Sequence, residues 1–288
     1  MEPDLKKAEE IAKSIQIPPL PRVVMELNDV LNDPRANLDR IVDLISKDLS
    51  MSAKVLKLAN SPIFGTSQNI SSIKQAFIRV GTNNFSRIVL ASALSDVLGG
   101  GKIDKSIFEA FWTHSLLAAK MAEMVVKTNE SLASIVSSDL AYTTALFHDC
   151  AIPLLLKRFP DYKNIFTEVL SNAPDVINLE ESLFESNHSV MSFIMAKSWK
   201  LPKPACRAIL DHHAPNPTVT GEIVEKKLWA ILALSEAILQ IGNDEMEYME
   251  ASNKDAPSFI KPLAMELYLT GEDFFDLVFQ LRNIMGQS

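Results

Sequence analysis

The sequence predicts an all-α protein, and three observations support this prediction. The chain has 288 residues with only nine glycines, and 47% of its residues are hydrophobic, which is enough to bury a large core. Alternating apolar and polar runs, which are typical of half-buried strands, are few. Residues that begin and end helices recur along the chain and divide it into a series of helical segments.

The start and stop signals within residues 1–98 predict a subdomain of short helices. After a polar first helix, Pro21 stands where a helix can begin and Asp33–Pro34 where it must stop. Asn37 can cap the segment LDRIVDLISKD. Ser50 can cap MSAKVLKLAN, which Ser61–Pro62 then ends.

Two more helices and a glycine cluster complete this subdomain. The segment SSIKQAFIRVG has Gly81 in the position after the helix, where a left-handed residue commonly ends it, and FSRIVLASALSDVL follows. Three consecutive glycines at 99–101 are the only such cluster in the sequence. They predict a hinge at 99–103 between the first subdomain and a second one at 104–288.

The helices of the second subdomain are longer. IFEAFWTHSLLAAKMAEMVVK is amphipathic over about six turns, and SSDLAYTTALFHDCAIPLLLKRF reads as a helix buried on most faces. The segments NLEESLFESNHSVMSFIMAKSWKLP, PACRAILDHHAPNP and LWAILALSEAILQI follow. Thr270 and Asp273 form a capping-box pattern that introduces the last helix.

Charge and composition exclude several functional classes. The formal net charge is −8, which opposes binding to nucleic acid or to an anionic membrane surface. No uncharged apolar run reaches the roughly 18 residues of a membrane helix, and the first residues, MEPDLKKAEE, are too polar for a signal peptide. We therefore expect a soluble cytoplasmic protein, with Cys150 and Cys206 reduced.

A histidine and an aspartate stand side by side in the otherwise apolar stretch TTALFHDCAIPL, as His148 and Asp149. Burying an ionised carboxylate costs several kcal/mol unless it is paired or coordinated. All five histidines lie between positions 114 and 213, and helices of one bundle can direct such ligands at one centre. If these side chains converge, the partner of Asp149 is a divalent metal ion, with Fe, Mn or Zn as candidates. Otherwise hydrogen bonds satisfy His148 and Asp149, and no cofactor is implied.

The order of these residues resembles the HD superfamily of metal-dependent phosphohydrolases. In that superfamily one helix supplies a histidine, a second the His-Asp doublet and a later one a closing aspartate; the matching positions here are His114, then His148 and Asp149. The closing position falls at Ser235–Glu236, where Glu236 could ligate through its longer side chain.

The chain is more similar still to the HDOD branch, the HD-related output domain. The segments IPPLPRVVMELNDVLND, ISKDLSMSAKVLKLANSPIFG, ISSIKQAFIRVG, FWTHSLLAA, ALFHD, NHSVMSFIMAKSWKLP and AILDHHAP carry this resemblance from about residue 16 to 215. It implies an HD-like helical bundle with an N-terminal helical subdomain.

The remaining histidines are secondary candidates for metal ligands, and each could instead be a hydrogen-bonded core residue. His188 lies three residues after Glu185, as on one helix face, although an ordinary surface pair is the favoured interpretation for Glu185. His212 and His213 diverge by about 100° on a helix, so at most one reaches a given centre unless the helix ends there.

Departures from the family pattern favour a module without catalysis. The lysine that often follows the doublet is replaced by Ile152, and the sequence after His213 lacks the GYP signature of cyclic-dinucleotide phosphodiesterases. The resemblance then implies a bacterial signalling output module that keeps a metal or ligand pocket and acts on a signalling protein partner. The alternative is a metal-dependent phosphohydrolase acting on a nucleotide or other phosphoester, in which Asp149 is catalytic. No pattern indicates an oligomeric state.

Overall fold

The computed structural model describes residues 10, 17–21, 23–24, 42–43, 45–64, 70–99, 103–173, 175–214, 222–241 and 260–286. Every regular element within these ranges is helical, so the all-α prediction is confirmed. The described residues fall into two compact units, one within Pro18–Gly100 and Asn283–Ser288 and one within Met1–Ile17 and Gly101–Arg282. The predicted stop at Asp33–Pro34, the predicted cap Asn37 and the hinge residues Gly100 and Gly101 lie outside the described ranges, so the hinge stays a prediction.

The N-terminal unit contains α1 (Leu49–Ala59), a short 3-10 helix (Pro62–Phe64) and α2 (Ile73–Gly99) among its described residues. The prediction that Ser50 caps α1 is wrong. Asp48 is the cap, because its carboxylate accepts the backbone N–H of Met51 at 3.0 Å. Helix α1 packs against α2, and an ion pair between Lys54 and Asp96 joins the two helices.

Asn60 fixes the chain just beyond α1, where the sequence predicts the helix to end. Its side-chain amide donates to the carbonyls of Leu56 and Ile70, at 2.8 Å each. Its side-chain oxygen accepts the N–H of Ile70 at 2.7 Å. Asn60 therefore holds residue 70 beside the end of α1.

Helix α2 contains a break at Gly81, where the sequence predicts a helix to end. Gly81 has φ 77° and ψ 169°, a backbone conformation that residues with a side chain rarely adopt. Phe77 and Phe85 lie on either side of the break, and their rings meet edge to face at 5.2 Å. The two predicted helices are thus two segments of α2 joined at this glycine.

The C-terminal unit is a bundle in which five helices surround the predicted site. Helix α3 packs against α5 and α11, while α10 packs against α5, α9 and α11. The elements of this part of the chain are α3 (Lys105–Thr128), α4 (Glu130–Ala133), α5 (Ser138–Phe147), α6 (Ile152–Arg158), a 3-10 helix (Pro160–Asn164), α7 (Phe166–Leu170), α8 (Val176–Phe184), α9 (His188–Ser198), α10 (Lys203–Asp211), α11 (Ile223–Leu239), α12 (Lys261–Glu266) and α13 (Gly271–Gly286).

The helix ends of this unit use two kinds of cap. The predicted capping box of α13 is confirmed: Thr270 N–H donates to the Asp273 carboxylate at 2.8 Å, and Asp273 N–H donates to the Thr270 hydroxyl at 3.1 Å. Helices α7, α9 and α12 end in left-handed residues that are not glycine, namely Asn172, Lys200 and Tyr268.

Within the described residues, no helix is both long and apolar enough to cross a membrane.

Candidate metal centre

The doublet His148–Asp149 lies at a break between two helices, so the expectation of one helix through this segment is wrong. Helix α5 ends at the residue before His148, and α6 begins three residues after Asp149. Pro153 explains the break, since a continuous helix would need its missing N–H to bond the carbonyl of Asp149, with which its ring would also clash. The resulting turn is fixed to α9, because the N–H of Ala151 donates to the Ser192 hydroxyl at 3.1 Å.

Helix α9 places His188 as its first residue, because the side chain of Asn187 caps the helix by accepting the N–H of Val190 at 2.9 Å. The prediction that Glu185 and His188 lie on one face of the same helix is wrong. Glu185 follows the end of α8 in a left-handed conformation with φ 60°, and it is exposed. Glu185 is thus a surface residue, which was the favoured interpretation.

Both His212 and His213 reach the same centre, because α10 ends at the residue before them. The Nε2 atom of His188 lies 3.3 Å from Nε2 of His212 and 2.7 Å from Nε2 of His213. The sequence analysis allowed both histidines to reach one centre only if the helix ended at this pair. The structure has that arrangement.

Asp149 lies between two groups of histidines and turns one carboxylate oxygen to each. Its Oδ2 is 3.1 Å from Nε2 of His148 and 3.8 Å from Nε2 of His114. Its Oδ1 is 3.4 Å from Nε2 of His188 and 3.5 Å from Nε2 of His212. The aspartate is thus the residue common to both sides of the cluster.

Glu236 on α11 closes the side of the cluster that contains His114 and His148. Its two carboxylate oxygens lie 3.3 Å from Nε2 of His114 and 3.4 Å from Nε2 of His148. The structure therefore brings together all seven residues that the sequence marks as candidate ligands: His114, His148, Asp149, His188, His212, His213 and Glu236.

The ring orientations of His148 and His212 are fixed by their own helix ends. Nδ1 of His148 lies 2.6 Å from the carbonyl oxygen of Ala145, and Nδ1 of His212 lies 2.7 Å from that of Ile209. A carbonyl oxygen can only accept, so Nδ1 carries the proton in both rings. When neutral, each ring therefore presents the lone pair of Nε2 to the cluster, which is the form that binds a metal.

Two residues that the sequence analysis missed support His188. Nδ1 of His188 lies 2.7 Å from a carboxylate oxygen of Glu180 on α8, and the hydroxyl of Tyr162 donates to the same carboxylate. Glu180 follows Val176 and precedes Phe184 at four-residue spacing on the buried face of α8. A carboxylate within an apolar helical stripe is the sequence signal that could have identified it.

The cluster is buried and leaves several polar atoms without a hydrogen bond. The side chains of His114, His148, Asp149, His188 and Glu236 are between 0% and 12% exposed. Within the described chain, no hydrogen bond of acceptable geometry reaches Nε2 of His114 or His148, Oδ1 of Asp149 or Oε1 of Glu236. Because unsatisfied buried polar atoms are costly, their concentration at one point indicates a site for a bound cation.

The carboxylates determine where protons reside in this cluster. Burial by itself lowers the pKa of His148, but the charges of Asp149 and Glu236 outweigh burial and raise it to about 9. Burial by itself raises the pKa of Asp149, but the charges of His148 and His188 hold it well below its usual range. Burial lowers the pKa of His213 well below its usual value, so that ring is neutral. The two carboxylates thus attract positive charge, which either protons or a metal ion can supply.

Three overlapping groups in the described residues have ligand atoms close enough to share one ion, since the atoms of each group lie within 4.8 Å of one another. The groups are His188 with His212 and His213, His114 with His148 and Glu236, and His148 with Asp149 and His212. Imidazole and carboxylate ligands suit Fe, Mn and Zn. The donor set therefore fits a divalent metal.

Comparison with known proteins identifies relatives of this chain. A family model described as the HDOD domain matches residues 17–215, which is more than half of the chain. An uncharacterized protein of Treponema pallidum (strain Nichols) is 27% identical over 214 residues, which cover 72% of this chain and 40% of the relative. The chain thus matches less than half the length of that relative.

Solved structures show the same fold. An HDOD domain protein of unknown function from Geobacter sulfurreducens is similar with a TM-score of 0.72 and 23% identity, covering 98% of this chain and 94% of that one. A protein of Shewanella amazonensis SB2B, provisionally described as a phosphohydrolase, is similar with a TM-score of 0.67 and 20% identity, covering 98% and 97% of the two chains. At these identities the likeness establishes the fold and leaves the activity to be argued from the site.

Proposed function

The chain belongs to the HDOD domain family, and from this premise we propose that it is a regulatory module of bacterial signal transduction whose buried histidine–carboxylate cluster binds a divalent metal ion. The observation that carries the metal proposal is the set of unsatisfied buried atoms on His114, His148, Asp149 and Glu236. A cation held by His114, His148 and Glu236 would satisfy the atoms of those three residues, and a cation on the other side would satisfy Oδ1 of Asp149.

The cluster offers ligands for one ion or for two. His114, His148 and Glu236 could hold an ion on one side, with Oδ2 of Asp149 directed to the same side. The other side presents His188, His212, His213 and Oδ1 of Asp149. These residues supply up to four donor atoms to each side, which is the number that a tetrahedral site requires.

Regulation without turnover is supported by the burial and composition of the cluster. The side chains of Asp149 and His188 are 5% and 0% exposed, so a phosphoester would have little access to them. Within the described chain, the ion pairs of the seven residues involve one another or Glu180, and none involves a lysine or arginine that could hold a phosphate. Ile152, in the position of the family lysine, is fully buried.

The regulatory proposal includes a protein partner and a change of state on metal binding. An ion can shift a conformational equilibrium only by as much as its affinity for the two states differs. We expect the glycine cluster at 99–101 to act as a hinge in this change. Small-angle scattering of metal-free and metal-loaded protein tests the change: an altered profile is expected, and identical profiles together with identical partner binding would contradict it.

The alternative function is hydrolysis of a nucleotide or other phosphoester, and the family relation favours testing it. A bound divalent ion would lower the pKa of a coordinated water and polarise a phosphoryl oxygen. In this chain, Asp149 would orient the attacking water through a carboxylate oxygen. A panel of nucleotides and phosphoesters should be assayed with metal-loaded protein beside Asp149→Ala. The regulatory proposal expects no turnover in either, whereas hydrolysis that disappears in a folded Asp149→Ala protein would establish the enzyme.

A further inference from the structure

Glu180 is a fully buried carboxylate that hydrogen-bonds both the backbone and the side chain of His188. Its side chain is 0% exposed. One oxygen lies 2.7 Å from Nδ1 of His188, and both oxygens lie 3.3 Å from the backbone N–H of the same residue. The other partner is the hydroxyl of Tyr162. Burying a carboxylate costs free energy unless hydrogen bonds compensate for the lost water. The hydrogen bonds of Glu180 therefore tie its position to that of His188.

The contact with Glu180 determines which nitrogen of His188 faces the centre. In the neutral ring the carboxylate of Glu180 accepts the proton on Nδ1, so Nε2 keeps its lone pair and lies 3.4 Å from Oδ1 of Asp149. His148 and His212 bond backbone carbonyls through the same nitrogen. Among these three rings His188 has the charged acceptor, and a charged acceptor makes an imidazole a stronger metal ligand.

Tyr162 holds the carboxylate in position from outside the cluster. It lies in the 3-10 helix Pro160–Asn164, is completely buried, and donates its hydroxyl proton to Glu180. Burial and the adjacent charge of Glu180 raise the pKa of Tyr162 well above its usual value, so the hydroxyl remains a donor. A chain of two hydrogen bonds therefore leads from Tyr162 through Glu180 to His188.

We propose that Glu180 is a positioning residue of the metal centre, which keeps His188 protonated on Nδ1 and directs its Nε2 at the ion, and that Tyr162 orients Glu180. The inference rests on the proposed metal site. Its first consequence, the tautomer of His188, also exists in the metal-free protein and can be measured there.

The test compares Glu180→Gln with Glu181→Gln. Gln at 180 keeps the size of the side chain but removes its charge. Glu181 is the adjacent carboxylate on α8 and accepts from the side chain of Asn187 at 2.8 Å, a bond that Gln can also accept. Among the described residues no hydrogen bond or ion pair joins it to His188, so its variant controls for general damage to the helix. Metal-free protein is titrated with Zn²⁺ in competition with a chelator. We expect Glu180→Gln to weaken binding about 10- to 100-fold, Tyr162→Phe to weaken it by less, and Glu181→Gln to leave it unchanged.

A second readout separates positioning from a structural role. Two-dimensional ¹⁵N NMR of the imidazoles in metal-free protein reports the tautomer of His188, assigned with His188→Gln. The proposal expects the Nδ1-protonated form in the wild type and a loss of that preference in Glu180→Leu; if that variant fails to fold, the same loss in part is expected in Glu180→Gln. Unchanged tautomer and unchanged affinity in the folded Glu180→Gln protein would overturn the proposal. A wild type that binds no Zn²⁺ but shows the expected tautomer would refute the metal function while the role of Glu180 in setting the tautomer stands.

Discussion

At the scale of single residues, three histidines of the cluster each use one ring nitrogen, Nδ1, in a hydrogen bond to a residue outside the cluster. His148 and His212 each use Nδ1 to bond a carbonyl of their own helix, and His188 uses it to bond Glu180. Each ring thereby has one orientation, with Nε2 directed into the cluster. Glu236 is held between His114 and His148 without a comparable anchor among the described residues, with Oε1 unsatisfied. The metal proposal therefore assigns Glu236 its main partner, the bound ion.

Replacing Glu236 by Gln should weaken metal binding by at least the roughly 10- to 100-fold that loss of a supporting residue causes, because a direct charged ligand is removed while the volume is kept. Calorimetric titration of metal-free protein with Mn²⁺ or Zn²⁺ measures this loss. The matched control is Glu225→Gln, a second buried glutamate of α11, which pairs with Lys203 at 3.6 Å. The role assigned to Glu236 is wrong if both variants lose affinity equally or if neither does.

The sequence identified the clustered residues better than the residues that support them. The five histidines and Asp149 were marked from the doublet and the histidine positions, and Glu236 from the closing position that the HD resemblance implies. Glu180 was missed because the neighbouring Glu181 makes the segment NLEESLF look like a solvated helix face. Only the spacing of Val176, Glu180 and Phe184 distinguishes the buried carboxylate from the partly exposed one. Its contacts with Tyr162 and His188 arise from tertiary packing, which periodicity does not encode.

At the scale of elements, breaks and ends of helices position the residues of the cluster. The sequence signals some of these breaks and ends more clearly than others. Pro153 forces the break after Asp149, and a stricter reading of that proline would have predicted it. Gly81 likewise marks a break in α2 that the sequence located. The left-handed end of α9 at Lys200 has no such signal, because lysine has no preference for this conformation.

Replacing Gly81 by Ala should destabilise the protein by about 1–3 kcal/mol, because φ 77° and ψ 169° belong to a region that is essentially restricted to glycine. No atom lies within 4 Å of the added methyl group, so the cost comes from the backbone and not from a clash. Urea unfolding measures the effect. The control Thr82→Ala, at an exposed position, should stay within about 0.5 kcal/mol of the wild type. A Gly81→Ala protein as stable as this control would contradict the backbone argument.

The end of α9 gives a prediction of opposite sign. The N–H groups of Lys200 and Leu201 donate to the carbonyls of Lys197 and Ala196, at 3.1 and 3.0 Å, which is the Schellman pattern that glycine favours. Lys200→Gly should therefore raise the free energy of unfolding by up to about 1 kcal/mol.

The matched control for this prediction is Lys197→Gly, in the last turn of the same helix. It should lower the free energy of unfolding by about 1 kcal/mol, because glycine is a poor helix former. Both variants can be compared by thermal and urea unfolding. Destabilisation of similar size in both would show that the left-handed conformation of Lys200 carries no strain.

At the scale of the whole molecule, the metal proposal links the histidine–carboxylate cluster to stability. The residues of the cluster lie on or just beyond the ends of five separate helices, so an ion bound there would stabilise the folded chain and not the unfolded one. Free metal at 100 times its dissociation constant should add about 2.7 kcal/mol, which corresponds to a rise in Tm of about 5–10 °C.

Differential scanning calorimetry of metal-free protein, with and without added Mn²⁺ or Zn²⁺, measures this rise. His148→Ala removes a ligand and should abolish it. An excess of chelator should return the loaded wild type to the Tm of the metal-free protein. An equal rise in wild type and His148→Ala would show that the ion binds elsewhere.

The metal content of the protein purified without an affinity metal decides whether the cluster holds an ion. Elemental mass spectrometry should find near-stoichiometric Fe, Mn or Zn in the wild type and in Glu225→Gln, and its loss in His148→Ala. A folded wild type without metal, which also takes up none on addition, would contradict the account. The cluster around Asp149 would then be satisfied by protons and hydrogen bonds.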